Sequence, residues 1–391
     1  MIQVKEFYAE LIDLRRHFHK YPETANEEYE TSAYLKNYLA ACGLEVYSGL
    51  AETGVIGVLN GGAGGPTIGL RSDMDALPIN EENDVSYKSY NPGIMHACGH
   101  DGHMAVTLIT AKILSMIREQ IKGTIVFIFQ PAEENLPEGG AKRLLNEGKR
   151  FFRGMDAIFG FHFWPFLETG TIALSENPIM AAGDVFEVSF KGQGAHGANP
   201  HQSTDVLMMA CNAVLSLTSI VSRNIEPGTS ATLSVGAIEG GKSPNVLPTD
   251  VSIKGTSRYT NPEFGSILPK KIENVLAGIS SAYNGSYELN YKYGYPVLEN
   301  DKKMVELVKK IILSMPEQTA VMEVPKPSLT SEDFAAYLHE IPGCYFWLGT
   351  QSSRQGVINS LHNPQYDLDE NAMVTAVETL LSIVQHFVLK K

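Results

Sequence analysis

The stretch Met95-His96-Ala97-Cys98-Gly99-His100-Asp101-Gly102-His103 carries one thiol and three imidazoles within nine residues. It lies between a predicted loop at residues 91–93 and a predicted helix that begins near Met104. Thiolate and neutral imidazole are the ligands that borderline-soft divalent metals prefer. A turn that leads into a helix can hold Cys98 and His100 facing one point. A single such residue would be ordinary packing, but this density favours a metal site.

Length and composition predict a soluble globular protein with two domains. A chain of 391 residues is too long for one small core, and its 43% apolar and 19% charged content is ordinary. The net charge of −13 argues against a nucleic-acid or anionic-membrane surface. No run of 18 apolar residues predicts a membrane span, and no signal-peptide core is present. Four scattered cysteines fit reduced thiols in the cytoplasm.

Strands that alternate with helices predict an α/β catalytic domain, with a mixed, mostly parallel sheet covered by helices. The buried strands are predicted at residues 54–59, 67–70, 124–129 and 157–161. The glycine-rich turn at residues 61–66 is expected to join the first two as a hairpin. Ligands gather beyond the carboxyl ends of strands in such sheets, so residues that follow strand ends are expected to share one site. These residues are Asp73, Asp75, Glu133, Glu134 and His162.

The pattern changes around Gly183, where strands with one apolar and one polar face begin. Phe186, Val188 and Phe190 share one face of such a strand. We therefore predict an α+β domain at residues 183–294, inserted between the two parts of the catalytic domain at 1–182 and 295–391.

Glu133 and Glu134 form the second chemical signal. One carboxylate can bind a metal while its neighbour acts as a base on the bound water, although adjacent glutamates are more often a solvated turn. His162 and His362 carry little weight alone, since each could be an ordinary structural histidine. His196 is flanked by small residues that let a substrate approach closely. The histidines expected on helix surfaces or in loops are His17, His19, His201, His339 and His386.

Taken together, these motifs resemble the two-metal aminoacylase/carboxypeptidase family. The likeness is strongest to its amidohydrolase branch of hippurate hydrolases, N-acyl-amino-acid amidohydrolases and auxin-conjugate hydrolases. The matching pieces are Arg15-Arg16-His17-Phe18-His19, Pro22-Glu23, Arg71-Ser72-Asp73-Met74-Asp75-Ala76-Leu77-Pro78, His96 to His103, Gln130-Pro131-Ala132-Glu133-Glu134, His162, Gly194-Ala195-His196, Pro244-Asn245-Val246-Leu247-Pro248, Gly255-Thr256-Ser257-Arg258 and Leu361-His362. They span nearly the whole chain in the family's order.

The resemblance implies that the inserted domain is a lid through which the protein forms a homodimer. It also implies two divalent metal ions per subunit, for which the donor types admit zinc, manganese, nickel or cobalt. Asp73 is not expected to be a ligand, and Asp75 is expected to orient one. The implied metal ligands are Cys98, His100, Glu134, His162 and His362.

The implied function is metal-dependent hydrolysis of N-acyl (acetyl- or benzoyl-type) L-amino acids, which releases a carboxylate and the free amino acid. Glu133 would take the proton of the bound water. His196, from the other subunit, would stabilise the oxyanion, and Asn245 and Arg258 would hold the substrate carboxylate. Narrower alternatives on the same site are an N-acetyl-diaminopimelate-type deacetylase and a small-peptide exopeptidase.

Two alternatives come from other classes. In a cysteine-nucleophile amidase, Cys98 would attack with His100 as its base, which leaves Glu133 and Glu134 without a role. A non-catalytic metal-binding protein would keep the ligands and lose the base, whereas Glu133 is present. We expect a small-molecule N-acyl amino acid as the partner, and neither nucleic acid nor membrane.

Overall fold

A computed structural model describes residues 3–315, 319–351 and 359–389 of the chain. The first part of the catalytic domain alternates helices and strands, as predicted. In chain order it contains α1 (Tyr8–Lys20), α2 (Tyr29–Ala41), β1 (Glu45–Leu50), β2 (Gly54–Asn60), β3 (Ala63–Asp73), α3 (His100–Met116), β4 (Lys122–Gln130), α4 (Ala141–Glu147), α5 (Lys149–Phe152), β5 (Ala157–Glu168) and β6 (Ile172–Leu174).

The inserted domain and the second part of the catalytic domain follow. The inserted domain contains β7 (Ala182–Lys191), β8 (Ala195–His196), α6 (Val206–Asn224), β9 (Ala231–Gly240), β10 (Val246–Leu247), β11 (Asp250–Tyr259), α7 (Phe264–Ala282) and β12 (Ser286–Tyr295). The chain then returns to the catalytic domain with α8 (Lys302–Leu313), β13 (Val321–Glu323), α9 (Ala335–Leu338), β14 (Gly343–Gln351) and α10 (Ala372–Val388). Asp205 and Asp301 begin α6 and α8 by accepting a backbone N–H three residues on.

The catalytic domain is built on one eight-stranded mixed sheet, in the order β1-β2-β4-β3-β5-β14-β6-β13. Its four central strands, β4, β3, β5 and β14, run parallel to one another. Helices cover both faces of the sheet, and the side chains of β4 are buried on both of these faces. Phe127 and Phe129 pack into the core beneath α1, α3, α8 and α10. The alternate residues Val126 and Ile128 pack into the core beneath α4 and α9. A strand buried on both faces needs this unbroken apolar run.

The predicted hairpin between the first two strands is wrong. β2 and β3 are consecutive in sequence, but β4 lies between them in the sheet. β2 pairs with β4 antiparallel, and β3 pairs with β4 parallel. The turn around Gly61 fits because its N–H donates to the carbonyl of Gly123, at the start of β4. The backbone of the glycine-rich run therefore passes close to β4. The apolar pattern alone did not show that β4 would lie between β2 and β3.

The inserted domain is a four-stranded antiparallel sheet in the order β12-β7-β11-β9, with α6 and α7 on one face. Phe186, Val188 and Phe190 of β7 are buried against these helices, on the one face that the alternation predicts. A short two-stranded sheet of β8 and β10 lies outside it. Strand β9 is an edge of the larger sheet.

Helix α6 is, within the described parts of the chain, the one helix long and apolar enough to cross a membrane by length and composition alone. Core helices satisfy the same criterion, and Met209, Leu217 and Ile220 of α6 are buried against the inserted sheet. Its other face carries exposed apolar side chains, including Leu215, which is 71% exposed.

Candidate metal centre and active site

Two neighbouring parallel strands end at the same edge of the large sheet. Asp73, the last residue of β3, is in register with Gln130, the last residue of β4. The loops that follow carry Asp75 after β3 and the pair Glu133 and Glu134 after β4. Acidic side chains distant in sequence are brought together because the carboxyl ends of parallel strands meet there.

Gly99, which has a left-handed backbone conformation, places the Cys98 thiol at this edge of the sheet. Gly99 has φ +89° and directly precedes α3, which begins at His100. The positive φ favours glycine, and a Cβ here would also make a tight contact of 3.1 Å with the Tyr366 hydroxyl. The N–H of His362 donates to the carbonyl of Ala97 at 2.8 Å, which joins the C-terminal loop to the Cys98 segment.

The structure brings the five predicted ligands together. The ligand atoms of Cys98, His100 and His162 lie within 4.8 Å of one another, and so do those of Cys98, Glu134 and His362. The Cys98 Sγ is 3.4 Å from His162 Nε2, and Glu134 Oε1 is 3.1 Å from His362 Nε2. Residues spread from position 98 to position 362 therefore form one cluster with Cys98 common to both halves.

The position of His162 differs from the prediction. It was expected just after a strand ending at residue 161, but β5 continues to Glu168 and His162 lies within it. Phe161, Phe163 and Trp164 are all buried, so the strand continues on both sides of His162. The strand pairing with β14, in which His162 is in register with Trp347, fixes its side chain toward the thiol.

Two of the imidazoles are oriented by backbone carbonyls. His100 Nδ1 donates to the carbonyl of Asp75 at 2.8 Å, and His162 Nδ1 donates to the carbonyl of Phe163 at 2.7 Å. Each bond leaves Nε2 facing the cluster, the orientation that metal-binding histidines require. Asp75 also accepts the N–H of Glu134 at 2.9 Å through its carboxylate. Asp75 thus contacts two of the five clustered residues.

The cluster fits divalent cations by its unpaired atoms and its charge. The buried His100 Nε2 has no hydrogen-bond partner within the described chain, as a ligand atom would. Although burial opposes it, the carboxylates of Asp73, Asp75 and Glu134 raise the pKa of His100 to about 10. The site therefore favours positive charge. Thiolate, imidazole and carboxylate together suit zinc and its neighbours.

Asp73 is engaged elsewhere. It accepts from His103 Nδ1 at 2.7 Å and from the buried Arg71 at 2.8 Å. His103 Nε2 in turn accepts the N–H of Phe163 at 3.0 Å. Both ring nitrogens of His103 are used, so this histidine supports β5 beside His162 instead of pointing at the cluster.

Glu133 is a buried carboxylate among other carboxylates. Its ligand atom lies within 4.8 Å of those of Glu332 and Asp333. Burial first, and then repulsion from Glu332 and Glu134, raise the pKa of Glu133 well above its ordinary value. A raised carboxyl pKa suits a group that accepts and returns a proton near neutral pH. Sequence reasoning did not single out Glu332 or Asp333, whose acidic pair precedes a short helix without a recognisable spacing.

A cavity of about 700 Å³ opens over this cluster. It is lined by Glu133, Arg258, Tyr295 and Leu136, together with the exposed side of the cluster and the segment 328–332. Arg258 comes from β11 of the inserted domain and donates to the Ser331 hydroxyl. Arg258 makes no ion pair among the described residues, although the Asp184 and Glu133 carboxylates act on its charge from further away. Its guanidinium lines the cavity. Such a group is ready to receive an anion.

His196 and Asn245 do not reach the cavity of their own chain. Both are exposed on the two-stranded sheet of β8 and β10, where Gly197 N–H donates to the Asn245 carbonyl at 2.8 Å. The structure therefore brings Arg258 to the cluster and leaves the other two residues beside each other at the surface of the inserted domain.

His19 is not the surface residue that the sequence suggested. It is fully buried and contacts Asp101 at 2.7 Å and Glu81 at 3.1 Å. The buried Arg15 donates to the same Asp101 at 2.9 Å. This network packs α1 against the start of α3. The sequence did contain the signal, because Arg15 and His19 are one helical turn apart, but a charged residue at that spacing is usually exposed.

The comparisons with known proteins agree with this geometry. The profile described as Peptidase family M20/M25/M40 matches residues 69–386. The chain belongs to this peptidase family. It is 41% identical over 300 residues, or 76% of this chain and 80% of that protein, to an N-acyl-L-amino acid amidohydrolase of Geobacillus stearothermophilus. It is 35% identical to thermostable carboxypeptidase 2 of Saccharolobus solfataricus, over 95% of this chain and 93% of the other.

A solved structure of the same family also matches. It is described as the Bacillus subtilis YXEP protein, a dinuclear metal-binding peptidase from the M20 family. The TM-score is 0.81 at 32% identity, with 97% of this chain and 98% of that chain covered. This M20-family chain is accordingly a metal-dependent hydrolase of the amidohydrolase branch, and dinuclear metal binding is typical of its family.

Family membership and geometry both disfavour the cysteine-nucleophile alternative. Burial, together with the Glu134 and Glu133 carboxylates, raises the pKa of the Cys98 thiol well above its ordinary value in the metal-free chain. A nucleophilic cysteine needs the opposite shift. His100, the proposed base of that alternative, gives its Nδ1–H to the Asp75 carbonyl.

Proposed function

We propose that this M20-family hydrolase cleaves the amide bond of N-acyl L-amino acids, with acetyl- or benzoyl-type acyl groups, to a carboxylate and a free amino acid. One observation carries the proposal. Arg258, a cation that makes no ion pair among the described residues, and Glu133, a buried carboxylate of raised pKa, line the same cavity as the clustered thiol, imidazole and carboxylate groups. Arg258 would bind the carboxylate of an N-acyl amino acid, and Glu133 would act at its scissile amide.

Cys98, His100, Glu134, His162 and His362 would hold two divalent ions. When bound, such ions lower the pKa of a water and polarise a carbonyl. The thiolate and imidazoles favour zinc, nickel or cobalt, and the carboxylate also admits manganese. Cys98 must stay reduced to serve as a ligand, which supports a cytoplasmic location.

Glu133 would move the proton. Its carboxylate lies between Glu332, Asp333 and Glu134, and these neighbours make it hold a proton more strongly than an exposed glutamate does. It would take the proton of the attacking water and return it to the leaving amine. General acid–base transfer of this kind is worth about 10² to 10⁴ in rate.

Arg258 would bind the free carboxylate of the substrate. Its guanidinium offers several N–H donors in one plane, which match a carboxylate in a bidentate manner. Ser331, which now accepts from Arg258, keeps the guanidinium turned into the cavity. The residue would select amino-acid-like substrates although the protein as a whole is acidic.

The inserted domain would form a homodimer. β9 is an edge strand with the exposed Ile238, and the neighbouring α6 exposes Leu207, Met208 and Leu215. An unpaired edge beside an apolar helix face is a surface that a second copy can cover. In such a dimer, His196 of the partner subunit would reach the cavity and donate to the oxyanion, with the partner's Asn245 beside it.

A panel of possible substrates tests this proposal. The purified protein is reconstituted separately with zinc, manganese, nickel and cobalt. It is then assayed on N-acetyl and N-benzoyl amino acids, N-acetyl-diaminopimelate, dipeptides and the corresponding uncharged amides. Turnover of N-acyl amino acids well above dipeptides and amides supports the proposal. Preference for dipeptides would make the protein an exopeptidase, and preference for the diaminopimelate conjugate would make it a biosynthetic deacetylase.

A further inference from the structure

The backbone just before Glu133 is held in an unfavourable conformation. Ala132 has φ +56°, in the left-handed region that residues with a Cβ avoid. It is fully buried, and it lies between Pro131, which directly follows β4, and Glu133. A non-glycine residue remains in this region only when surrounding contacts hold it there.

Three contacts from distant parts of the chain hold this turn, one on each of three residues. The N–H of Ala132 donates to Glu28 Oε1 at 2.9 Å. The carbonyl of Glu133 accepts from the Tyr295 hydroxyl at 2.5 Å, and the N–H of Glu134 donates to Asp75 at 2.9 Å. Of the three, the contact to Glu28 is the one made directly to the left-handed residue.

Glu28 is an unusual residue to find at this place. It is fully buried just before α2, and its second oxygen accepts from the Thr53 hydroxyl at 2.6 Å. Burial and then the Asp75 carboxylate raise the pKa of Glu28, Thr53 and backbone N–H groups partly offset this, and Glu28 makes no ion pair among the described residues. A buried carboxyl without a cation is costly for the fold. The buried Glu28 carboxyl does not stabilise the fold by its charge. Its position is better explained by the hydrogen bond that it accepts from the Ala132 N–H.

We propose that Glu28 is a positioning residue for the base Glu133. By accepting the Ala132 N–H, it holds the left-handed turn that directs the Glu133 side chain into the cavity. The inference rests on the proposed role of Glu133 and adds to it a residue some hundred positions earlier in the chain. Glu28 does not line the cavity, so its hydrogen bond reaches Glu133 through the backbone of Ala132, and the glutamine variant separates this bond from the effect of the Glu28 charge on Asp75.

The test compares two nearly isosteric variants of the metal-loaded protein. Glu28→Gln keeps an oxygen that accepts the Ala132 N–H, whereas Glu28→Met fills the same volume without an acceptor. We expect Glu28→Met to lower kcat about ten-fold, since the left-handed conformation costs a non-glycine residue roughly that factor. KM and bound metal should stay unchanged, and Glu28→Gln should keep kcat within about two-fold.

A second substitution shows whether the backbone is the link. Glycine adopts positive φ without the Cβ penalty, so Ala132→Gly added to Glu28→Met should raise kcat again by about five-fold. If Glu28→Met alone does not fold, recovery of folding by the same glycine supports the proposal equally. Unchanged kcat in Glu28→Met, or a loss of kcat or folding that glycine does not recover, overturns it.

The same assays separate this inference from the proposed function. Glu133→Gln is measured beside the Glu28 variants on the best substrate of the panel. If Glu133→Gln is inactive while Glu28→Met is normal, only the positioning role fails. If Glu133→Gln remains active, Glu133 is not the base and the proposed function itself fails.

Discussion

Replacing Glu28 by glutamine should stabilise the protein above neutral pH. Burial, and then the nearby Asp75 carboxylate, raise the pKa of Glu28 from 4.5 to about 7. Below pH 4.5 the group is protonated in both the folded and the unfolded chain. As the pH rises to about 7, the unfolded chain releases this proton first. The folded protein therefore loses stability over that interval.

The size of the effect follows from the shift in pKa. Each unit corresponds to about 1.4 kcal/mol, so ionisation of Glu28 costs the folded protein about 3 kcal/mol above pH 7. Glutamine has the same shape and never ionises, and it avoids this cost. For a catalytic domain of this size, the gain corresponds to an increase in Tm of about 5 °C at pH 8 and to almost none at pH 4.5.

Thermal unfolding of metal-free protein measures the effect. Tm is recorded for wild type and Glu28→Gln at pH 5 and pH 8, and the difference between variants cancels every group that they share. Glu27→Gln is the matched control, because Glu27 is the exposed neighbour in sequence and loses the same formal charge. A Glu28→Gln advantage that is equal at both pH values, or a lower Tm at pH 8, would refute the electrostatic reasoning.

The remaining predictions concern catalysis. Glu133→Gln should lower kcat at least about 100-fold with normal metal content by elemental analysis; retained activity would remove it from the base role. Arg258→Ala should raise KM for N-acyl amino acids about 10- to 100-fold and leave uncharged amides unaffected, and equal effects on both would reject the carboxylate clamp. His196→Ala should lower kcat about 100-fold without metal loss, and mixing it with an inactive Glu133→Gln protein should restore part of the activity if the histidine acts across subunits.

The sequence predicted which residues would come together at the candidate site better than it predicted the architecture around them. Cys98 and His100 are so close in sequence that a single turn brings them together, and the alternation of strands and helices predicted the edge where Glu133 and Glu134 lie. Local pattern could also assign β7 to a half-exposed sheet, because Phe186, Val188 and Phe190 alternate with polar residues. Each of these inferences could be made from residues that lie close together in the sequence.

What the sequence did not show depends on long-range pairing. The place of β4 between β2 and β3 is set by hydrogen bonds between strands that are some sixty residues apart. The role of Glu28 was invisible for the same reason, because a lone glutamate before a helix gives no sign that it will reach Ala132. Neither feature has a short-range periodicity from which it could have been predicted.

The order of the five clustered residues along the chain affects when the candidate site can be completed. Four of the clustered residues lie between positions 98 and 162, and the fifth, His362, comes last and is fastened to Ala97 by its own N–H. During synthesis, the whole inserted domain emerges from the ribosome before this final donor exists, and domains tend to fold as they emerge. A fragment that stops before residue 362 would keep four of the five clustered residues and lack the one that completes the group of Cys98, Glu134 and His362.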